Sequence, residues 1–504
     1  MVSSTSRSFG TSTTKAMVTP LLSRRILSLA SVVTIAALPT AVLGHGDGEN
    51  KIPEGKSVSD DPIDAILWVH IILMMLAFGV IFPIGMVLGV TKNRWHVPTQ
   101  ILGSVIAVVA WFLGHAHQGR QFVSNNVHAL FANILMILLV AQVAFGGYLR
   151  LHLEKGIHGR IRRVVRPMHG VLGKAMPVLS WTQIVFGVIT ALGFCQDDHL
   201  GQCAAHFIMG SAFIAYGILL TLLLLVGQLW LRRTGRSQEF FDSVVIAAWG
   251  CVNTFTEHRW GTPWVKNDWQ HTTMGVIWWC AGLAGIWLSR DRDGNPKRNF
   301  IPGFVIAVTG WGMSAHPQDL PVSAMTHSMF GKTLIATGIS RIIEVSFVLK
   351  DRASIADDGR QYNSWQLIPV FLLYAAGLLF MGATEEQMDL VANSSMDHIS
   401  YILIIYSLAF LMFLFVNMLI SLYDRTNNQG KVALPNGAAP EVNGHHRSVS
   451  ETRRLRDAEE FELEGLISDE EDGKRKPRRS ADDEESLDTP NAARAGRSGG
   501  RVAL

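Results

Sequence analysis

Four histidines in the first third of the chain could do chemistry. Each lies close to an end of one of four successive apolar segments, where an ionisable side chain is costly to bury and is a functional candidate by default. Two imidazoles on facing helices can provide both axial ligands of a haem iron. Taken singly, such histidines are also typical of helix ends at a membrane interface. The four are His70, His96, His128 and His169.

A second set of histidines and carboxylates lies between residues 239 and 349. Imidazole and carboxylate side chains together suit a divalent metal ion, and imidazole favours copper, zinc or iron. The alternative interpretation is a polar rim formed by loop ends. The set comprises Glu257, His258, Asp268, His271, His316 and His327.

The composition predicts that these residues sit in membrane-spanning helices. Of 504 residues, 48% are hydrophobic and only 17% are charged, against about a quarter charged in soluble proteins. The net charge of +3 excludes a general basic bias toward nucleic acid. Apolar blocks of bilayer-spanning length favour an all-α polytopic transmembrane helix bundle of about eleven helices. The blocks lie at about 64–90, 97–116, 128–150, 169–194, 205–231, 242–256, 271–289, 300–315, 327–349, 366–383 and 398–422.

The N-terminus predicts entry into the secretory pathway. Arg24 and Arg25 precede a short apolar run that ends in small residues, so residues 1–44 are typical of a signal peptide. The alternative is an uncleaved anchor helix. Cleavage would leave residues 45–63 as a polar, mobile arm on the lumenal side.

Loop charge predicts the same orientation. Alternate loops are rich in Lys and Arg, which favours the cytosolic side, while the loops between them are poor in both. With eleven helices and a lumenal N-terminus, the C-terminus is cytosolic. The basic loops are 91–95, 150–168, 231–238, 289–299 and 350–365.

Two features fit the predicted lumenal loops. Cys195 and Cys203 share one such loop, where a disulfide is expected in an oxidising compartment, the alternative being two free thiols. Asn393 opens the glycosylation sequon Asn-Ser-Ser in another, so a glycoprotein is expected.

This orientation sorts the four histidines into two levels. Helix one runs inward from the lumen, so His70 lies near its lumenal end, and His128 follows on helix three. His96 and His169 then lie at the cytosolic ends of helices two and four. At about 1.5 Å of rise per residue, the levels are roughly 20 Å apart.

The last region differs in composition. Residues 424–504 are rich in Gly, Asn, Ser and charged side chains, which predicts a disordered cytosolic tail. The remaining helices divide at about 235, giving domains at 64–235 and 236–423. Within the second domain, Arg341 and Glu344 are one turn apart and are expected to pair.

The histidine segments resemble the cytochrome b561 family, especially its DOMON-linked kind. The resemblance covers about residues 64–230 and implies a haem between helices one and three and another between helices two and four. The Arg and Gly that usually follow the third histidine are absent. The motifs are His70 to Gly79 with Phe82-Pro83-Ile84-Gly85, Trp95-His96-Val97 with Gln100 and Gly103, His128 with Gln142, and Met168-His169-Gly170-Val171-Leu172-Gly173-Lys174 with Gln183 and Gly187.

The whole chain resembles the fungal YTP-like integral membrane proteins. The shared order is a signal, a b561-like half, a second histidine-bearing helical domain at 236–423 and a charged tail. This resemblance implies architecture and no particular activity.

Together these features predict transmembrane electron transfer through two b-type haems. The b561 resemblance implies a small-molecule donor such as ascorbate, and the basic stretch 160–166 suits an anionic donor. The acceptor would be lumenal or extracellular: monodehydroascorbate, or a ferric or cupric ion held by the second histidine set. The alternative is a non-redox transporter or scaffold with a lumenal histidine metal or proton site. Besides these partners, only membrane lipid is expected.

Overall fold

The computed structural model describes residues 52–53, 56–153, 155–196, 199–258, 261–315, 318–350 and 362–429. The predicted signal peptide lies outside the described residues, as does the tail beyond residue 429. The helices are α1 Ala65–Val90, α2 His96–Ala116, α3 Val127–Arg150, α4 Ile157–Leu192, α5 Leu200–Leu225, α6 Gln228–Thr234, α7 Gln238–Thr256, α8 Lys266–Leu288, α9 Ile301–Ser314, α10 Pro321–Ile343, α11 Ser364–Met381, α12 Glu385–Ala392 and α13 His398–Gln429.

The described residues form helices and no strand, which confirms the all-α polytopic fold. Seven of the described helices are long and apolar enough to cross a membrane, namely α1 to α5, α11 and α13. The helices α7 to α10 do not qualify, since α9 is short and the others carry more polar residues. Every predicted apolar block contains a helix, but the count of eleven crossings stays a prediction.

The first four helices share an apolar core between their two histidine levels. On each helix the core residues lie between the level of one histidine and the level of the other. A π-helical segment, Met75–Ile81, widens α1 at this height, and it carries Ala77 and Phe78 into the core. The core consists of Ala77, Phe78, Phe82, Ala107, Leu135, Leu139 and Met176.

Close glycine contacts pack the other helices. The helix α5 meets α11 where Gly210 and Gly377 face each other's backbone, and α9 meets α10 in the same way at Gly310 and Gly331. A Cβ at any of these positions would collide with backbone atoms of the partner helix. Small residues let membrane helices approach closely where van der Waals packing is the main attraction.

The arm before α1 is packed where the structure describes it, which differs from the mobile arm expected. The amide of Ser59 donates to the carbonyl of Gln121 (3.0 Å), and the amide of Gln121 returns a bond to the Ser59 hydroxyl (2.9 Å). Arg120 donates to the carbonyls of Asp61 (3.0 Å) and Ala191 (2.9 Å). These bonds hold the arm against the α2–α3 loop and join that loop to the end of α4.

Two helix ends also differ from the expectation. The basic stretch expected as a loop at 150–168 is helical from Ile157, so α4 runs on past the apolar block. Arginine is a good helix former, and a helix need not end where its apolar residues end. For the same reason α13 extends to Gln429, into the stretch expected as tail.

The expected division at residue 235 is not tested, but α5 packs with later helices. Phe207 and Ile214 of α5 share a core cluster with Val370 and Tyr374 of α11. The hydroxyls of Thr221 and Tyr374 are hydrogen bonded at 3.0 Å. The helix α5 therefore contributes to the core of the second helical group.

Candidate functional site

The four histidines of α1 to α4 form two facing pairs. The ring centroids of His70 and His128 are 6.4 Å apart with planes at 87°. Those of His96 and His169 are also 6.4 Å apart, with planes at 78°. A metal–imidazole bond is about 2 Å long and the ring centre lies about 1 Å behind the nitrogen, so two imidazoles on opposite sides of one metal have centroids about 6 Å apart. Both pairs fit that spacing.

Two of the rings have a defined tautomer. The Nδ1 atom of His70 donates to the carbonyl of Ala110, and that of His96 donates to the carbonyl of Gly85, each at 2.7 Å. A carbonyl oxygen only accepts, so the proton is on Nδ1 and the lone pair is on Nε2. Metal-ligating histidines are typically oriented by such a bond from their other nitrogen.

The His96–Gly85 bond allows the distance between the two histidine levels to be measured along α1. His96 is bonded to Gly85 of α1, so the stretch of α1 from His70 to Gly85 measures the separation. At about 1.5 Å per residue that stretch rises about 20 Å. The pairs therefore lie near opposite ends of the four helices, with the apolar core between them.

A glycine lies beside each of the four rings. A Cβ built on Gly114 would be 2.6 Å from the His70 ring, and one on Gly89 would be 2.8 Å from the His96 ring. The spacing is 3.2 Å both at Gly146 beside His169 and at Gly187 beside His128. A side chain at the first two positions would displace the ring. The family motif pointed to Gly187, while the other three have no signal in the sequence apart from being glycine.

The histidines of α3 and α4 are held less completely. Gln142 donates to the carbonyl of His169 and Gln183 to the carbonyl of His128, both at 3.0 Å. The Nδ1 atom of His169 is buried and has no hydrogen-bond partner among the described residues. The amide nitrogen of Gln183 is also 2.9 Å from Nδ1 of His128, which would put the proton on Nε2. Haem ligation through Nε2 would require the other tautomer there, and the Gln183 amide nitrogen would then have to move away from Nδ1 of His128.

A cavity lies among α1 to α4 and reaches Gln142, the residue that donates to the His169 carbonyl. Its wall includes amides and glycine as well as apolar groups, so it is not wholly apolar. It is lined by Phe78, Phe82, Pro83, Gln100, Leu139, Gln142, Gly173, Met176, Pro177 and Ser180.

The second histidine set forms two separate pairs with carboxylates. Nδ1 of His258 is 2.9 Å from Asp268, and Nδ1 of His271 is 3.1 Å from Glu257. The His258 ring also stacks on Trp264, with centroids 4.0 Å apart. A carboxylate on Nδ1 orients the imidazole and raises its basicity, as in metal sites.

The single metal centre expected from this set is not formed in the described part of the chain. No three His, Cys, Asp or Glu side chains among the described residues lie close enough to hold one ion. His327 faces His206 of α5 instead, with centroids 6.0 Å apart. His316 lies outside the described residues. The position of a residue near a helix end gives its height along the helix axis but not the direction of its side chain around that axis. The side chain of His327 points toward α5.

A buried ionic cluster was only partly predicted. Arg341 donates to Glu344 (2.5 Å), the expected pair, and also to Glu239 (2.6 Å). Glu239 accepts from Arg298 as well (2.8 Å), and Tyr216 donates to the nearby Asp242. Sequence reasoning missed Glu239 and Asp242, which begin α7 beside a basic loop and resembled a solvated helix end.

The structure also places the predicted disulfide cysteines and the predicted glycosylation site. Cys195 and Cys203 form a disulfide, with Cα atoms 5.2 Å apart. The other two cysteines, Cys251 and Cys280, are free thiols. Asn393 is exposed and directly follows α12, a position that a glycan can reach, although glycosylation itself stays a prediction.

Family comparisons cover most of the described chain. Residues 179–424 match the C-terminal family model of YTP1-like proteins, and residues 50–152 match a domain of unknown function, DUF2427. Protein YTP1 of Saccharomyces cerevisiae is 43% identical over 265 residues, which is 52% of this chain and 56% of YTP1. An uncharacterized membrane protein of Schizosaccharomyces pombe is 22% identical over 475 residues, covering 70% of this chain and 93% of that protein.

No solved structure matches the chain. The match to YTP1 spans little more than half of that protein. None of these matches has a cytochrome b561 name, so the b561 resemblance stays a prediction. The helices and the matches together make this chain an integral membrane protein similar to the fungal YTP1-like proteins.

Proposed function

We propose that the chain transfers electrons across a membrane through two b-type haems, held by His70 with His128 and by His96 with His169. The observation that carries the proposal is the pair of 6.4 Å imidazole spacings, one near each end of a four-helix group. Two such spacings at opposite ends, each between helices that are not sequence neighbours, would place one haem near each side of a membrane.

The protein's own part is to orient ligands and keep water out. The Nδ1 bonds of His70 and His96 orient these rings and leave the lone pair on Nε2, the atom that would bind the iron. The glycines beside the rings leave room for a flat group at each level. When bound, haem supplies one-electron chemistry. The core residues between the levels are hydrophobic, so they would restrict water and protons along the path.

The proposed direction runs from the cytosol to the lumen of the secretory pathway. In this orientation the start of α4 faces the cytosol with Arg160, Arg162, Arg163 and Arg166, next to the His96–His169 level. That cationic end suits an anionic small-molecule donor such as ascorbate. The acceptor at the other end would be monodehydroascorbate or a ferric or cupric ion. His258 and His271, each on a carboxylate, are the residues that would receive such an ion.

Absorbance of the purified protein tests the proposal. The wild type should give a reduced-minus-oxidised b-type spectrum and contain two haems per chain by pyridine haemochrome assay. His96→Ala and His70→Ala should each lose one haem. The matched control is His115→Ala, because His115 is an exposed α2 histidine bonded only to its own helix, at Trp111. A well-folded colourless preparation would overturn the proposal.

A second candidate function is a non-redox transporter or scaffold. The carboxylate pairs of His258 and His271 favour it, because an imidazole on a carboxylate also suits proton or metal binding without haem. This function predicts a colourless protein that binds zinc, with binding lost in His258→Ala. Zinc-independent folding with no bound zinc would exclude it.

A further inference from the structure

A buried carboxylate cluster near one end of α7 to α10 takes no part in the proposed haem path. Glu239 and Asp242 lie in the first two turns of α7, and Glu344 directly follows α10. These three residues are 0%, 7% and 2% exposed, respectively. A carboxylate buried this deeply must be paired with a cation, hydrogen bonded or neutralised, because an isolated buried charge is costly.

The charges in this cluster do not balance. Arg341 donates to Glu344 at 2.5 Å and to Oε1 of Glu239 at 2.6 Å. Arg298 donates to the same Glu239 oxygen at 2.8 Å. These two arginines are the cations within ion-pair distance of the three carboxylates in the described part of the chain. Three ionised carboxylates would therefore face two guanidinium groups, with one negative charge in excess.

Asp242 is the least compensated of the three carboxylates. Its Oδ1 atom accepts from the neutral hydroxyl of Tyr216. Its Oδ2 atom is 3.8 Å from Arg341, which is too far for a hydrogen bond. Glu239 and Glu344, in contrast, each accept directly from a guanidinium. The excess charge therefore falls on Asp242.

An unpartnered oxygen beside Asp242 points to a ligand. The Oε2 atom of Glu239 is buried and has no hydrogen-bond partner among the described residues, although Oε1 accepts from two arginines. A buried acceptor without a donor is costly. Asp242 follows Glu239 by three residues in α7, so the two carboxyl groups are neighbours on one face of the helix. A proton on Asp242 would supply the donor that Oε2 of Glu239 lacks.

A metal ion fits this cluster less well than a proton. Calcium and magnesium need about six oxygen ligands, and zinc needs four ligands. No three His, Cys, Asp or Glu side chains in the described part of the chain lie close enough to hold one ion. A proton needs no coordination shell, and a single proton removes the excess charge.

We propose that Asp242 binds one exchangeable proton, held on Oδ2 and donated to Oε2 of Glu239. The proton comes from water and returns to water, so that one O–H bond forms or breaks and no electron moves. In the predicted orientation α7 begins on the cytosolic side, and the exchange is with the cytosol. The site requires neither haem. The charged and titratable groups around it are Tyr216 on α5, Glu239 on α7, Arg298 before α9, and Arg341 and Glu344 at the end of α10.

Infrared titration of the full chain in detergent tests this proposal. Exposed carboxyl groups lose the C=O band of their protonated form near about pH 4. The wild type should have one further protonated-carboxyl component that disappears only between about pH 5 and pH 8, well above that ordinary range. Asp242→Asn should lack this component. Asp389→Asn, at an exposed aspartate of α12, should retain it. The same titration in the wild type and in Asp242→Asn would overturn the proposal.

Tyr216→Phe gives a second answer that leaves the carboxyl group in place. It removes the hydroxyl that donates to Oδ1 of Asp242, the carbonyl oxygen of the protonated form. The component should therefore move to higher frequency, because a C=O bond without a hydrogen-bond donor is stiffer. An unchanged frequency would contradict the assignment to Asp242. Because the readout is a carboxyl band, a protein without haem could still pass this test, and a protein with both haems could still fail it.

Discussion

The helices α1 to α4 and the helices α7 to α10 bury polar groups in opposite ways. In the first group, His70 and His96 are held by backbone carbonyls. In the second, Arg341 meets Glu239 and Glu344 directly, and the two carboxylates are 0% and 2% exposed. A neutral ring that is bonded to a carbonyl costs little to bury, whereas a charge must be paired with another charge.

This difference explains why the two groups of helices differ in hydropathy. The first four helices keep enough hydropathy to qualify as membrane spans, while α7, α8 and α10 do not. The first group is thus suited to hold neutral imidazole ligands in apolar surroundings. The second depends on a network in which removing any one member leaves a buried charge. Four experiments test this difference between the two groups.

The largest effect is expected from Arg341→Ala. It removes the arginine that pairs with the buried Glu344 and leaves Glu239 with Arg298 alone, and breaking a buried ion pair typically costs about 3–5 kcal/mol. The chain should unfold at a markedly lower temperature in detergent, measured by static light scattering or tryptophan fluorescence. Arg290→Ala, at an exposed arginine of the neighbouring loop, should change little. An Arg341→Ala protein as stable as the Arg290→Ala protein would show that the cluster is not structural.

The next effect is expected from Gly114→Ala. Its new Cβ would meet the His70 ring at 2.6 Å, so the ring must turn and its Nε2 would leave the line to His128. One of the two proposed haems should be lost, as measured by haemochrome assay. Gly79→Ala is the matched control, because a Cβ at Gly79 has nothing within 4 Å. Loss of haem in both variants, or in neither, would remove the geometric argument for this pair.

The two groups of helices also show which structural features could be predicted from the sequence. Apolar blocks and loop charge placed all four histidines at helix ends, and the ring pairs His70–His128 and His96–His169 join helices in the expected order. The glycines beside the rings and the role of Glu239 were not predictable. They depend on which direction a residue faces around its helix, and hydropathy gives the height of a residue without that direction. For the same reason the sequence did not show that His327 lies away from the rest of its expected set and faces His206.

A smaller effect is expected from Gln142→Leu. It removes the amide that donates to the carbonyl of His169 at 3.0 Å, a bond worth about 1 kcal/mol. Because this amide positions the backbone of His169 and does not touch the facing ring, haem should remain bound with a shifted midpoint potential. Redox titration would measure the shift. Thr182→Val, which removes an exposed hydroxyl bonded only within α4, should leave the potential unchanged.

The smallest effect concerns the one carboxylate that holds the start of α1. Asp64 accepts from the amides of Leu67 (3.0 Å) and Gln118 (3.2 Å), and the Leu67 bond holds its pKa below the usual 3.8. A lowered pKa means that the carboxylate contributes stability above pH 3.8, and that this stability is lost as pH falls through the folded value. The protection of the amides at the start of α1, relative to an unstructured peptide at the same pH, should therefore fall only in acid. Asp64→Ala should show the faster exchange at neutral pH, and Asp64→Asn, which keeps a capping oxygen, should remove most of the acid dependence. Equal exchange in all three proteins would mean that the first turn of α1 is held by helix packing and not by its cap.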